Sequence, residues 1–318
     1  MLFRSFDGAF PAAYEEDVST DMAVADVAQL TEVQNDSDRI GMRLVRGSGR
    51  AIHLRLFRSA SSIALSRALP ILENLGFTVL SERPYRIAVQ RGREIWLQDF
   101  EMQRRDGSDA DPAKLGSRFT DAFLAVWGGR AENDGFNRLV VTADLTWRQA
   151  MVLRAYCRFV LQGGVAFSQS YMEEVLSSNS GIAATLSKIF EAQFNPALQP
   201  ARRTSEVARH QKELARQLDT VTSLDEDRIL RRFASAIAAT LRTNHFQVDT
   251  SHPNEPESWK PYLSIKLDSR NIPDLPQPRP AFEIFIYSPR VEGVHLRMGQ
   301  VARAIWRSEE RRVGKECR

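Results

Sequence analysis

The chain is poor in the residues that form disulfide frameworks and metal sites. Its 318 residues include only 2 cysteines and 5 histidines. Cys317 lies in a charged C-terminal stretch, whereas Cys157 lies in an apolar stretch that is predicted to be helical and to bury the thiol. No disulfide framework is possible, which is typical of proteins in a reducing cytoplasm. The histidines show no HExxH or similar ligand spacing, so the sequence predicts no metal site.

Long apolar runs and a strong charge of one sign are also missing. No run approaches the roughly 18 apolar residues that a membrane-spanning helix needs. The formal net charge is +3, and most of it comes from residues 307–318, so the remainder is nearly neutral. This balance argues against a nucleic-acid or anionic-membrane partner. With 43% hydrophobic residues, the chain can bury a core, and its length allows about two or three domains.

The N-terminal third predicts a helical lead-in followed by a small α+β domain. Residues 1–37 contain a short helix that Ser19 or Thr20 can cap. Residues 38–103 predict strands at 40–46 and 52–58, joined by a glycine-bearing hairpin turn, then a helix over 65–75 that Pro70 should kink or divide. Three more strands are predicted, at 77–81, 85–90 and 94–102.

This order of elements predicts a sandwich with helices on one face of an antiparallel sheet. It resembles an ACT-type regulatory domain. The polar segment between residues 104 and 112 is predicted to be a linker.

Helices are predicted to dominate residues 112–245. Pro112 opens the first of these helices, and Thr146 begins a stretch with the spacing of a capping box. A second capping box runs from Ser223 to Glu226 and precedes apolar residues at intervals of four. These apolar residues are Ile229, Phe233, Ile237 and Leu241.

The last part of the chain alternates between strands and proline-rich loops. Strands are predicted at 262–267 and 282–287, within a region of residues 258–303. Residues 307–318, with the sequence RSEERRVGKECR, resemble a translated sequencing adapter and are predicted not to belong to the fold.

A search for catalytic motifs returns no candidate catalytic, cofactor-binding or metal-binding residue. Gly47 and Gly49 lack the third glycine and the following helix of a dinucleotide-binding loop, so a hairpin turn is favoured. Ser288 has no G-x-S-x-G context and is predicted to end a strand. The acidic run at 225–227 suits a helix N-terminus.

Seven collinear blocks resemble the large bacterial NAD-dependent glutamate dehydrogenases. They are GAFPAAY (8–14), LENLG with ERPY (72–85), AENDGFNRL (131–139), AFSQSY (166–171), LDEDRILRR (224–232), TLRTN (240–244) and residues 272–297, ending in AFEIFIYSPRVEGVHLR. The resemblance implies an α+β architecture: an ACT-like ferredoxin-type sandwich, a mostly helical domain, and the first strands of an α/β dehydrogenase catalytic domain.

The resemblance also implies an activity that this segment does not itself carry. In the family, NAD accepts hydride from L-glutamate in a cytoplasmic enzyme that is expected to be a homo-oligomer. The lysine-bearing segments of the family would follow residue 303, so the chain is expected to be an internal fragment that lacks an active site and binds no NAD. The alternative is a stand-alone regulatory or scaffolding protein that binds an amino acid through its ACT-like sheet.

Overall fold

The computed structural model describes Phe6 and residues 8–59, 61–89, 93–249, 259–273 and 275–299. The chain divides into two compact units. The first comprises Met1–Gly128 and Asn133–Trp147, and the second comprises Gly129–Glu132 and Arg148–Arg318.

The first unit is built around a four-stranded antiparallel sheet. In chain order its elements are α1 (Ala12–Asp17), α2 (Thr20–Val33), β1 (Ile40–Arg46), β2 (Ile52–Ser59), α3 (Leu65–Asn74), β3 (Phe77–Val89), β4 (Arg93–Arg104), α4 (Pro112–Trp127), a 3₁₀ turn (Gly135–Arg138) and α5 (Leu139–Thr142). The strand order is β1-β2-β4-β3. Because β4 lies antiparallel between β2 and β3, those two strands run parallel and α3 connects them as a split β-α-β unit.

Helices cover both faces of this sheet, not one face as the element order predicted. Side chains of α2 share a core cluster with Phe57 of β2 and Leu97 of β4. Neighbouring residues of a strand point to opposite faces, so Gln98 lies on the other side, where it accepts a hydrogen bond from the Ile63 backbone just before α3. On that second face Phe77 also makes an edge-to-face contact with Phe119 of α4.

Strand β3 is longer than the sequence pattern indicated. The segments predicted as two strands, 77–81 and 85–90, fall in one strand that runs from Phe77 to Val89 and pairs with β4, and residue 90 lies outside the described residues. A β-bulge between Val79 and Ser81 shifts its register. Pro70 does not divide α3, because Leu65–Asn74 is one helix with Pro70 inside it; a kink at Pro70 stays a prediction. Ile71 and Leu72 are buried and hold that turn against the core.

The second unit combines five helices with a second antiparallel sheet. Its elements are α6 (Trp147–Gln162), α7 (Gln169–Ser178), α8 (Ser180–Phe194), α9 (Pro200–Leu218), α10 (Leu224–Ala238), β5 (Thr240–Thr243), β6 (Leu263–Asp268), a 3₁₀ turn (Ser269–Asn271), β7 (Phe282–Tyr287) and β8 (Glu292–Arg297). The sheet order follows the chain, β5-β6-β7-β8.

The predicted helix behind the second capping box is present, but it ends earlier than its pattern suggested. Leu241 was expected on the apolar stripe of α10, yet it lies in β5 and is 46% exposed. The change from helix to strand occurs at Thr240. Its hydroxyl forms a hydrogen bond with the Tyr156 hydroxyl at 2.7 Å, and its backbone carbonyl accepts a hydrogen bond from the Gln193 side chain. These buried contacts with α6 and α8 fix the chain where α10 stops.

Only half of the second capping box forms. The Ser223 hydroxyl accepts from the Glu226 backbone N–H at 3.4 Å. The Glu226 carboxylate, expected to return a bond to Ser223, accepts instead from the Asn179 side chain at 3.0 Å. A contact with the end of α7 therefore replaces the local bond.

Two predictions concern a membrane-spanning helix and the C-terminal tail. Among the described residues, no helix combines the length and apolar character needed to cross a bilayer. The predicted extraneous segment, residues 307–318, lies outside the described residues.

Candidate functional site

Two polar rows cross the face of the first sheet that α2 covers. Strand register aligns Arg43, Arg55, Asp99 and Arg83 in one row across all four strands. The next row contains His53, Glu101 and Ser81. The same face is apolar farther along, where the helices pack. Charged residues are therefore concentrated at one end of the face.

A buried ion pair anchors the first row. Arg55 and Asp26 are both fully buried, and the Arg55 guanidinium lies 2.7 Å from the Asp26 carboxylate. Asp26 belongs to α2, and its carboxylate also accepts from the Tyr14 hydroxyl and from Arg43, each at 2.8 Å. Burial raises the pKa of Asp26, while Arg55, Tyr14 and Arg43 act in the opposite direction. These charge-assisted contacts fasten α1 and α2 to the sheet.

The exposed end of the two rows forms a cleft of about 260 Å³. All four strands of the sheet and the junction of α1 and α2 contribute residues to its lining. The lining residues are Asp17, Val18, Met22, Arg46, His53, Ser81, Arg83, Tyr85, Asp99 and Glu101. We call this feature the polar cleft.

Cross-contacts hold the polar groups of this cleft in place. Asp17, at the end of α1, accepts from the Tyr85 hydroxyl at 2.8 Å and lies 3.0 Å from Arg83. The Tyr85 hydrogen bond and Arg83 hold the pKa of Asp17 below its usual value. His53 Nδ1 lies 2.8 Å from Asp99, and this contact raises the pKa of His53. The cleft can thus present fixed charges of both signs near neutral pH.

A second polar cluster lies inside the second unit. Glu132 accepts from the Tyr287 hydroxyl of β7 at 2.9 Å and from Arg158 of α6 at 2.7 Å. Tyr287 is fully buried. This arrangement joins distant parts of the chain through charge-assisted bonds.

Cys157, Gly47 and Ser288 make local packing and turn contacts. Cys157 is buried, and its thiol contacts the Met172 sulfur at 3.5 Å, as the apolar context predicted. Gly47 opens the β1–β2 hairpin, where its N–H donates to the Ala51 carbonyl. The Ser288 hydroxyl accepts from backbone N–H groups in the β7–β8 turn.

NAD binding requires a particular turn for the pyrophosphate of the cofactor. A dinucleotide loop must open a helix whose N-terminus faces the pyrophosphate. The Gly47–Gly49 turn joins two strands instead, so it does not fit. Within the described ranges, no group of three or more ligating side chains could hold a metal ion.

Pattern reasoning missed the residues of the polar cleft. Its charged residues, such as Arg83 and Asp99, form no sequence motif, because they come from separate strands and helices. The available signal was the alternation of the predicted strands, which places charged residues on the otherwise apolar face. Alternation shows which face of the sheet each residue lies on. It does not show which residues of different strands lie side by side, because that depends on the strand order and the register.

The structure defines the class of the chain as α+β, with a four-stranded antiparallel sheet followed by a helical region and a second antiparallel sheet. Four family models match it in order. They describe glutamate dehydrogenase helical motif 2 (residues 1–33), the ACT3 domain (39–115), helical motif 3 (131–196) and the catalytic domain of bacterial NAD-glutamate dehydrogenase (213–315). The last match extends into residues 307–315, so the predicted extraneous tail stays a prediction.

Three relatives show the same relationship along nearly the whole chain. The NAD-specific glutamate dehydrogenase of Pseudomonas aeruginosa is 42% identical over 315 residues, which is 98% of this chain. That of Halomonas elongata is 38% identical over 313 residues, also 98% of the chain. That of Mycobacterium tuberculosis is 38% identical over 312 residues, 96% of the chain.

The chain belongs to the family of bacterial NAD-specific glutamate dehydrogenases. It spans about 19% of the length of each of these relatives.

Proposed function

We propose that this chain forms part of an NAD-dependent glutamate dehydrogenase, which deaminates L-glutamate to 2-oxoglutarate and ammonia while NAD accepts the hydride. The observation that carries the proposal is collinearity. Four family models match in chain order, and three relatives align with at least 96% of the chain. The expected setting is a cytoplasmic homo-oligomer.

Within that enzyme, this segment supplies regulatory and assembly parts, not the reacting groups. Hydride transfer needs a cofactor held at a phosphate-cradling turn beside groups that handle protons. The described residues offer no such turn, and their polar cleft lies on a sheet that resembles a regulatory domain. The domain limits expected from the sequence, 1–37, 38–103, 112–245 and 258–303, remain part of this proposal.

A chimera tests the proposal. Residues 8–299 would replace the aligned segment of the full-length Pseudomonas aeruginosa relative, and NADH formation from L-glutamate would be followed by absorbance. We expect the chimera to turn over and the isolated chain to show no turnover above a no-protein control. Loss of positioned catalytic groups costs orders of magnitude in rate, so the two results are easily separated.

The control is a chimera that carries Arg55→Met, which removes one partner of the fully buried ion pair in the first sheet. It should assemble poorly and lose activity. A folded wild-type chimera without turnover would contradict the proposal and favour the alternative, a stand-alone regulatory or scaffolding protein that binds an amino acid.

A further inference from the structure

Strand β7 carries apolar side chains on both faces of the second sheet. On one face Phe285 makes an edge-to-face contact with Phe159 of α6, with ring centroids 5.8 Å apart. Alternate residues of a strand point to opposite faces, so Phe282, Ile284 and Ile286 lie on the other side, which we call the outer face. Ile286 is 42% exposed there. A strand that is apolar on both faces is typical of a sheet that is covered on both sides.

Cations flank this apolar ridge on both sides. The strand register places Lys266 of β6 beside Ile284, and Arg297 of β8 beside Phe282. Arg242 of β5 lies directly opposite Lys266. Like charges at opposed positions destabilise a sheet, and a nearby negative charge relieves that cost. The outer face therefore combines an apolar ridge with an excess of positive charge.

The three cations form no ion pair with a carboxylate among the described residues. Asp268, which is next to Phe282 in the register, is held by Arg270 through two bonds of 2.8 and 2.7 Å. The Lys266 ammonium lies 4.5 Å from the centre of the Phe282 ring instead. Its charge, and those of the two arginines, are thus available to an acidic partner.

The shape of the apolar area favours a helix over a second sheet. On the outer face β7 contributes three apolar side chains, whereas β6 contributes Ser264, Lys266 and Asp268. A packed sheet would need apolar residues on several neighbouring strands. A single ridge with charged flanks matches the apolar stripe of an amphipathic helix, whose diameter of about 10–12 Å spans the roughly 10 Å between β6 and β8.

We propose that the outer face binds an acidic amphipathic helix, supplied by a part of the parent enzyme that lies outside this chain. The apolar stripe of the helix packs along β7, and its flanking carboxylates meet Lys266 and Arg297. The chain spans about 19% of the length of its relatives, so most of their sequence is available to supply the helix. The source of the helix rests on the proposed function, whereas its chemistry rests on the outer face alone.

Thiol labelling tests whether the outer face is covered in the whole enzyme. Ile286→Cys is introduced both in the purified 318-residue chain and in the full-length chimera, and mass spectrometry follows the reaction of that cysteine with a maleimide. We expect the thiol to react at least about tenfold more slowly in the chimera, because the helix blocks access to it. Leu224→Cys, at a side chain 64% exposed at the start of α10, is the control and should react at similar rates in both proteins.

Charge reversal tests the acidic character of the helix. In the Ile286→Cys chimera, Lys266→Glu should raise the labelling rate at least about fivefold, because repulsion replaces attraction at the rim of the contact. Lys212→Glu, at an exposed lysine of α9, is the matched control and should leave the rate unchanged. Unchanged thermal midpoints would show that both variants are folded.

A peptide gives a measurement that does not depend on the chimera. The 318-residue chain is titrated calorimetrically with an amphipathic peptide that carries Leu at the a and d positions of each heptad and Glu elsewhere. Its counterpart carries Lys in place of Glu. We expect the acidic peptide to bind at least about tenfold more tightly than the basic one, and Lys266→Glu to weaken its binding about tenfold.

The proposal is overturned if the thiol of Ile286→Cys reacts equally fast in chain and chimera, or if Lys212→Glu acts as strongly as Lys266→Glu. It is also overturned if the acidic peptide does not bind, or if a single-stranded oligonucleotide binds more tightly than that peptide. A protected thiol in a folded chimera without turnover would contradict only the proposed enzyme function. A freely labelled thiol in an active chimera would contradict only this inference.

Discussion

The hydroxyl of Tyr287 donates a hydrogen bond to Glu132 at 2.9 Å, although the two residues are 155 positions apart. Glu132 lies in the segment matched by helical motif 3, and Tyr287 lies in the segment matched by the catalytic domain. Arg158 completes the arrangement by donating to the other carboxylate oxygen. The segment matched by the catalytic domain is thus tied to a helical segment by a partly buried, charge-assisted bond.

Removal of this bond should destabilise the second unit. Tyr287→Phe keeps the buried ring but leaves the Glu132 carboxylate with one partner fewer. We expect the free energy of unfolding to fall by about 1.5–3 kcal/mol, the usual range for a hydrogen bond to a charged group. Denaturant unfolding followed by fluorescence would measure the loss. Tyr262→Phe, at an exposed tyrosine, is the control and should change little.

The buried pair of the first unit should be far more sensitive than the exposed pairs. Arg55→Met would remove the fully buried cation that pairs with Asp26 and leave it only Tyr14 and the half-buried Arg43 as the partners described above, so the loss should approach the about 3–5 kcal/mol that removal of one partner of a buried pair costs. Arg46→Gln removes a pair whose arginine side chain is 59% exposed, which is worth about 0–1 kcal/mol. Urea titration would compare them. Equal losses would contradict the view that the buried pair anchors α2.

Removal of the N-cap of α10 should lower the free energy of unfolding less than removal of a buried side chain of the same helix. Ser223→Ala removes the bond to the Glu226 N–H and should cost roughly 1 kcal/mol. Phe233 is fully buried, so Phe233→Ala should cost about 3–5 kcal/mol. Thermal and denaturant melts would report both. Small and equal effects would show that α10 is not docked against the rest of the unit.

His245 should make the second unit sensitive to acid. Burial lowers its pKa to about 3, whereas an unfolded histidine titrates near 6.5. Between these values the unfolded chain binds a proton that the folded chain does not, so stability falls as pH falls, by up to about 1.4 kcal/mol per pH unit. His245→Phe should flatten this part of the profile. A profile unchanged by the substitution would exclude His245 as the source.

His53 should have the opposite pH dependence. Its folded pKa is raised by Asp99, so its contribution is complete below the unfolded value near 6.5 and is lost as pH rises through the folded value. His53→Asn should remove a decline in stability above neutral pH. Unfolding measured from pH 4 to 9 would separate the two histidines, because His245 acts below about pH 6.5 and His53 acts above it, with slopes of opposite sign.

Local signals predicted most elements of the fold. The Ser19 cap of α2 forms, with the Ser19 hydroxyl accepting from the Met22 N–H, and Pro112 begins α4. These features depend on a few neighbouring residues, which a sequence displays directly. Strand β5 was not predicted, because its four residues follow α10 without a turn signal. The helical spacing of apolar residues continues to Leu241, so the predicted helix extended into the strand.

Features that depend on distant residues could not be predicted in this way. Nothing near Glu226 indicates that its carboxylate will prefer Asn179 to the local Ser223 backbone. The covering of both sheet faces by helices likewise depends on where the chain goes after each helix. The residues of the polar cleft come together only through the register of four strands. They are far apart in the sequence and form no motif there.

The bulge in β3 lets odd-numbered residues of this one strand pack on both faces of the sheet. Phe77 precedes it and contacts Phe119, whereas Tyr85 and Ile87 follow it and belong to the cluster shared with α2. All three are odd-numbered, so an unbroken alternation would send them to the same side. Leu80 is the extra residue that reverses the parity. Deletion of Leu80 would restore simple alternation along β3. The side chains on one side of the bulge would then point to the wrong face of the sheet.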